Sequence, residues 1–243
     1  MSYTRDYTRS LRRCEEARSR PDRPQVFSMR GREWDLLDDV FAPVFSPATE
    51  ACLDMVEFPR AGSVLEMGSG CGLIAVEAAL AGCRVVAADI SPQAVENTRL
   101  NAARHHVGDR LLAVESDLFS AVPADERFDL VVWNSNYVLA PEDYQFDGMH
   151  QQAYVDPGYR AHRRFLEEAP GRLTAGGSVL LSFSTRGDLD TLRRMADDCD
   201  RTLSVLRTRT VREGTEDIVY RLVEVSVATT RAHRPAGLLT TWS

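Results

Sequence analysis

The stretch Val64-Leu-Glu-Met-Gly-Ser-Gly-Cys-Gly-Leu-Ile74 constrains this chain more than any other. An apolar run leads into three glycines on alternate positions, and an apolar helical pattern follows from Leu73 to Ala81. A strand that turns directly into a helix is the first part of a strand–helix–strand unit, from which parallel sheets are assembled. Glycine is needed where the backbone turns tightly or must approach a ligand with no Cβ in the way. Gly68, Gly70 and Gly72 mark such a turn. A dinucleotide-binding turn has the spacing G-x-G-x-x-G, its last glycine letting the helix pack close to the strand while the helix N-terminus meets a pyrophosphate. That glycine would fall at position 73, where Leu73 stands. The loop therefore predicts a nucleotide-like cofactor without that phosphate geometry.

The alternation continues downstream. Predicted strands are Ser63–Met67, Arg84–Asp89, Leu111–Glu115, Asp129–Trp133 and Ser178–Phe183, with two more near Leu203–Val211 and Ile218–Val227. Predicted helices are Leu73–Ala81, Pro92–Ala103, Tyr159–Leu173 and Leu189–Asp198. This order predicts an α/β fold: a mostly parallel, Rossmann-like sheet with helices on both faces and an antiparallel strand from the closing pair. Upstream, residues 5–20 can form a helix that Arg20-Pro-Asp-Arg-Pro24 breaks, and a second helix is predicted from Ala48 to Val56. The expected division is an N-terminal segment over 1–58, a cofactor-binding domain over 59–230 and a tail over 231–243. Residues 1–33 read either as a solvated leader or as a lid over the site.

Composition narrows the partners. The net charge is −7, which argues against a grip on long nucleic acid, where phosphate contacts need a basic surface. All 29 basic residues are arginine, so lysine Schiff-base chemistry is excluded. The 5 cysteines are dispersed without CxxC spacing, which offers no zinc site and fits a reduced, cytoplasmic protein. No metal is expected. Nothing approaches the roughly 20 apolar residues of a membrane span, and no signal peptide is visible.

Three strand ends carry the candidate cofactor residues. Glu66 closes the first strand, Asp89-Ile90 the second, and Asp117-Leu118 follows the third. An acidic side chain about 20 residues past the first glycine suits ribose hydroxyls. Each has an ordinary alternative, since Asp89 precedes Ser91-Pro92 and can cap a helix, and Asp117 can be a turn residue. Their joint order resembles the class I S-adenosylmethionine (SAM)-dependent methyltransferases. The resemblance implies SAM as cofactor, seven strands, and a last strand that is antiparallel and one place in from the edge. It also implies that Asp117 reaches the adenine amino group and Glu66 lies near the methionine part.

The fourth strand ends in Asn134-Ser-Asn-Tyr137. This resembles the Asn-Pro-Pro-Tyr signature of methyltransferases acting on planar nitrogens, including the HemK/PrmC glutamine methyltransferases and adenine-N6 enzymes. Phe45-Ser-Pro-Ala-Thr-Glu50, Asp117-Leu-Phe119 and Asp156-Pro157 resemble further HemK-like pieces. The resemblance implies that Asn134 Oδ1 and the Ser135 carbonyl accept hydrogens from the target NH2, and that Tyr137 stacks on the planar group. Ser135 and Asn136 replace both prolines, which loosens the turn and opens the identity of the acceptor. Asn134 can also be an ordinary turn asparagine.

Glu142-Asp-Tyr-Gln-Phe-Asp147 reads as a solvated acidic loop or, through Glu142, Asp143 and Tyr144, as a pocket for a cationic group. His150 and His162 can act as bases, although a lone surface histidine is the commoner reading. The leading expectation is a SAM-dependent N-methyltransferase of a small-molecule acceptor carrying an amide, amine or guanidino nitrogen. The alternatives are a HemK-type protein glutamine methyltransferase, an adenine methyltransferase and a non-catalytic SAM-binding module. The short, irregular N-terminal segment weighs against the HemK type, and Leu73 against a nicotinamide oxidoreductase.

Overall fold

The computed structural model describes residues 7–228. Helix α1 (Tyr7–Ser19) is followed by a hairpin of β1 (Val26–Met29) and β2 (Arg32–Asp35). Arg30 and Gly31 both take positive φ at its two-residue turn, which matches the twist of the paired strands. Next come α2 (Ala48–Met55), β3 (Ser63–Met67), α3 (Leu73–Leu80), β4 (Arg84–Asp89), α4 (Pro92–Arg104), β5 (Leu111–Glu115) and β6 (Phe128–Asn134). A two-residue pair, β7 (Leu139–Ala140) and β8 (Asp156–Pro157), then leads into α5 (Arg160–Glu168). The chain ends with β9 (Leu173–Ser184), α6 (Leu189–Asp198), β10 (Arg201–Glu213) and β11 (Glu216–Val227).

Seven strands form the main sheet, in the order β10-β11-β9-β6-β3-β4-β5. β3, β4, β5, β6 and β9 run parallel, whereas β11 runs antiparallel to both neighbours, one place in from the edge. The central parallel strands β3, β4 and β6 are largely apolar because both faces are covered, whereas the edge strand β5 leaves Leu112 exposed. One face packs α2, α3, α4 and the hairpin through residues such as Trp34, Cys52, Ile74 and Val95. The other packs α5 and α6 through Phe165, Leu166, Leu192 and Met195. The carboxyl ends of β3, β4 and β6 open side by side, where the chain order changes direction across the sheet. Open α/β sheets place their ligands at that crevice.

Several boundaries differ from the expected ones. The predicted Tyr159–Leu173 helix stops at Glu168, because Pro170 cannot continue it, and a 3-10 turn at Ala169–Arg172 feeds β9. β9 begins at Leu173, five positions before the apolar run starts. The closing strands are longer than predicted and meet at Gly214, whose φ is +63°. The β1–β2 hairpin falls partly in the polar leader. Of its side chains only Phe27 and Trp34 are buried, too few to give a periodic signal. The tail over 231–243 lies outside the described residues. No described helix is long and apolar enough to cross a membrane, and no described cluster of His, Cys, Asp and Glu suits a metal.

Candidate active site

The glycine loop is built by its neighbours. Gly68, Gly70 and Gly72 have φ of +63°, +57° and +82°, a region that favours glycine. A Cβ at Gly72 would stand 2.9 Å from Thr98 on α4, whereas one at Gly70 meets nothing within 4 Å. Gly72 packs the helix and Gly70 faces open space. Side chains of α4 pin the loop: Thr98 Oγ1 donates to the Gly70 carbonyl at 3.2 Å, and Asn101 Nδ2 to the Cys71 carbonyl at 2.8 Å. Thr98 and Asn101 are fully buried. The sequence reading missed both, although fully polar side chains one turn apart on an otherwise apolar helix face carry the signal.

The strand-end carboxylates hold the same loop. Glu66 Oε2 accepts from the Ala75 amide at 2.8 Å, in the first turn of α3. Asp89 Oδ2 accepts from the Gly70 amide at 2.8 Å, and Oδ1 from the Ser91 amide at 2.9 Å. Burial pushes the Glu66 carboxyl well above its ordinary range and raises Asp89 as well. Asp117 sits at the edge with both oxygens held at 2.8 Å by one arm of Arg164, and Leu118 turns through φ +50°.

A cavity of roughly 330 Å3 lies over these strand ends. Glu66, Gly68, Gly70, Asp89, Ile90, Asp117 and Leu118 line it, whereas Gly72 points into the protein instead. The residues fit SAM. Gly70 leaves free space, and the Asp89 carboxylate, which takes amide hydrogens from Gly70, Ser91 and Ile90, keeps acceptor capacity for a hydroxyl. Bound SAM would supply an electrophilic methyl group on a sulfonium.

Asn134, Ser135, Asn136 and Tyr137 form the facing wall. Asn134 Nδ2 donates to Thr49 Oγ1 at 3.4 Å, while its Oδ1 is buried with no partner among the described residues. Thr49 lies in the first turn of α2, within the Pro-Ala-Thr-Glu segment. The turn lacks prolines, and side chains hold it instead. Ser135 Oγ donates to the Ser182 carbonyl at 2.9 Å and meets His162 Nε2 at 3.1 Å. His162 Nδ1 lies 2.7 Å from Asp156 Oδ2, and that carboxylate also accepts the Ala161 and His162 amides. Asn136 Nδ2 donates to the carbonyls of Gln152 and Val155. Tyr137 lies edge-on to Phe183 and Tyr220, its hydroxyl is bonded to Ser184 and Tyr220, and burial raises its pKa.

Two readings of the sequence are corrected. His162 is fully buried, not at the surface, because it links α5 to the Asn134 turn. Glu142, Asp143 and Tyr144 do not reach the cavity. Tyr144 packs on Tyr7 and Phe146 and donates to Gln151, since the β7–β8 pair turns this loop outward. α1 takes their place at the mouth, supplying Ser10, Arg13, Glu16 and Ala17.

Comparison with known proteins agrees with this geometry. The methyltransferase domain family matches residues 64–154. A release factor glutamine methyltransferase of Bordetella pertussis is 34% identical over 181 residues, covering 67% of this chain and 65% of that protein. A protein of Methanocaldococcus jannaschii, provisionally named a protein N5-glutamine methyltransferase, is 32% identical over 63% of this chain and 78% of its own length. In fold, the chain is similar to a 16S rRNA N2 G1207 methyltransferase of T. thermophilus solved with AdoMet and guanosine, with TM-score 0.54, 21% identity, and coverage of 84% of this chain and 51% of that one. The match thus spans just under two thirds of the Bordetella relative's length. With its glycine loop, its antiparallel penultimate strand and its Asn134 turn, the chain belongs to the class I SAM-dependent methyltransferases, in the HemK-like family.

Proposed function

We propose that this protein transfers a methyl group from SAM to the side-chain carboxamide nitrogen of glutamine. The observation that carries this is Asn134, whose Nδ2 is occupied by Thr49 and whose Oδ1 is buried and unpaired on the cavity wall. A buried acceptor without a donor is costly, and a substrate NH2 would satisfy it. Asn134 Oδ1 and the Ser135 carbonyl together take both amide hydrogens, which turns the nitrogen lone pair toward the methyl and stabilises the charge developing on nitrogen. Tyr137 flanks the amide plane. The N–C bond forms as the S–C bond breaks, and one amide proton then leaves to water.

In this reading Glu66, Gly68, Gly70, Asp89, Ile90, Asp117 and Leu118 hold the cofactor, and Gly72 shapes the loop. α1 serves as a lid, since it lines the mouth and is tied down by Ser10 to the Tyr154 carbonyl and by Arg13 to Glu213. The names of the relatives favour glutamine over the broader small-molecule expectation. The argument for a cationic acceptor falls with the loop at Glu142–Tyr144. Asn134→Ala tests the reading. Affinity for S-adenosylhomocysteine by calorimetry should stay within about threefold, while transfer of labelled methyl to glutamine acceptors should fall about 10²–10³-fold. Full activity in Asn134→Ala would refute the amide reading, and no transfer to any acceptor by the parent protein would favour a non-catalytic module.

A further inference from the structure

The cavity is also lined by charged side chains that the amide chemistry does not use. Arg186, on the turn after β9, and Arg13, on α1, both line the cavity. Both donate to the same carboxylate oxygen, Glu213 Oε2, at 2.9 Å and 3.2 Å. The other oxygen of Glu213 accepts from the Tyr220 hydroxyl at 2.6 Å. Two guanidinium groups thus share one carboxylate, which leaves a net positive charge beside the cavity. Glu213 takes a single donor of Arg186, whose Nε is buried with no partner among the described residues. Arg186 is only 16% exposed in its side chain, so water screens this charge weakly. The next residue, Gly187, packs so closely on the Tyr137 carbonyl that a Cβ there would clash with it, and Tyr220, which donates to Glu213, lies edge-on to the Tyr137 ring, so the cluster adjoins the acceptor wall. The opposing charges on the cavity are Glu66, Asp89 and Asp117 at the strand ends and Glu16 and Asp39 at the mouth; Asp117 pairs with Arg164 and Asp39 with Arg18.

We propose that Arg186 and Arg13 form a carboxylate-binding subsite, so that the carboxamide presented to Asn134 belongs to a glutamine whose own α-carboxylate is free. Such an acceptor is free glutamine, its N-acyl derivative or a chain-terminal glutamine, and not a residue inside a polypeptide. The proposal rests on the amide reading for the reacting group and on the arginine pair for the remainder of the acceptor. Guanidinium groups suit this role because their fixed fork of donors matches a carboxylate, and a partly dry site strengthens the contact. Arg13 brings α1 into the subsite, which couples closure of the mouth to an acceptor of the right charge.

The experiment compares N-acetylglutamine with its neutral methylamide as acceptors for labelled SAM, using the full chain. The expected result is a KM about tenfold or more lower for the carboxylate form, with similar kcat. Arg186→Gln should raise the KM for N-acetylglutamine and close the gap between the two acceptors, and Arg13→Gln should do so in part. Equal KM values in the parent protein would overturn the subsite while keeping the amide reading. Calorimetry on the S-adenosylhomocysteine complex separates the two ideas from the other side. Binding of N-acetylglutamine, lost in Arg186→Gln, without methyl transfer would sink the amide reading and keep the subsite. No binding and no transfer would sink the subsite too. A fall in affinity for S-adenosylhomocysteine but not for methylthioadenosine in Arg186→Gln would assign the arginines to the cofactor's own carboxylate and reject the proposal.

Discussion

Ser135 and Asn136 stand where related enzymes carry prolines, and their side chains supply restraint by another route. Proline narrows φ within its own residue. Here Ser135 is anchored to β9 through Ser182 and to α5 through His162, and Asn136 to the 3-10 segment before β8. The restraint is therefore tertiary, and removing it leaves buried partners unsatisfied. Ser135→Ala should cost about 1–3 kcal/mol of stability and lower kcat more than it weakens S-adenosylhomocysteine binding, as read by melting curves, kinetics and calorimetry. Glu66 makes a second prediction. Its folded-state pKa lies above the ordinary 4.5 because burial penalises the charged form. The folded chain holds this proton more tightly than the unfolded chain. That stabilisation is complete below the unfolded pKa and is lost as pH rises through the folded one. Glu66→Gln keeps an acceptor for Ala75 and removes the titration. Without cofactor, its melting temperature should fall less between pH 5 and pH 8 than that of the parent, and a parallel pair of curves would refute the burial argument.

Among the elements, the strand–loop–helix unit of β3 and α3 distributes different tasks to similar glycines. Gly72 meets Thr98 and Gly70 meets nothing, though both have positive φ. Gly72→Ala should cost about 2–4 kcal/mol, from the backbone strain plus the clash with α4. Gly70→Ala should cost only about 1 kcal/mol yet weaken S-adenosylhomocysteine, because its Cβ projects into the cavity. Chemical denaturation paired with calorimetry distinguishes the two. The helices reach their positions by ordinary means. Ser91 caps α4 with Pro92 at its first position, and Asp188 caps α6 through the Thr191 amide. α1 is different: only Cys14 and Ala17 are buried, Tyr7 and Leu11 pack on the small cluster of Val138, Ala140 and Val155, and polar ties supply the rest. Amide hydrogen exchange over residues 7–19 should slow when cofactor and acceptor bind together, and equal exchange in all states would remove the lid role.

Across the whole molecule, the sheet aligns four strand ends along one cavity. Cofactor binding there should stabilise the fold as a unit. At a concentration 100 times Kd, S-adenosylhomocysteine adds about 2.7 kcal/mol, equivalent to roughly 5–10 °C in melting temperature. Asp89→Ala should abolish that shift in a thermal melt. Local pattern was enough to reveal the strand and helix order, the glycine turn and the positions of Glu66, Asp89 and Asn134, since periodicity and turn chemistry act within a few residues. The edge hairpin, the true start of β9 and the early end of the fifth helix escaped it, because pairing partners and Pro170 outweighed apolar pattern there. Still less legible was what reaches the acceptor. Glu142–Tyr144 is adjacent to the signature in sequence and turned away in space, while Arg13 and Arg186 are 173 positions apart and share Glu213. Charge in a sequence is local only along the chain. Which charges meet is decided by strand pairing and by the docking of α1, and those depend on contacts between residues that no local window contains.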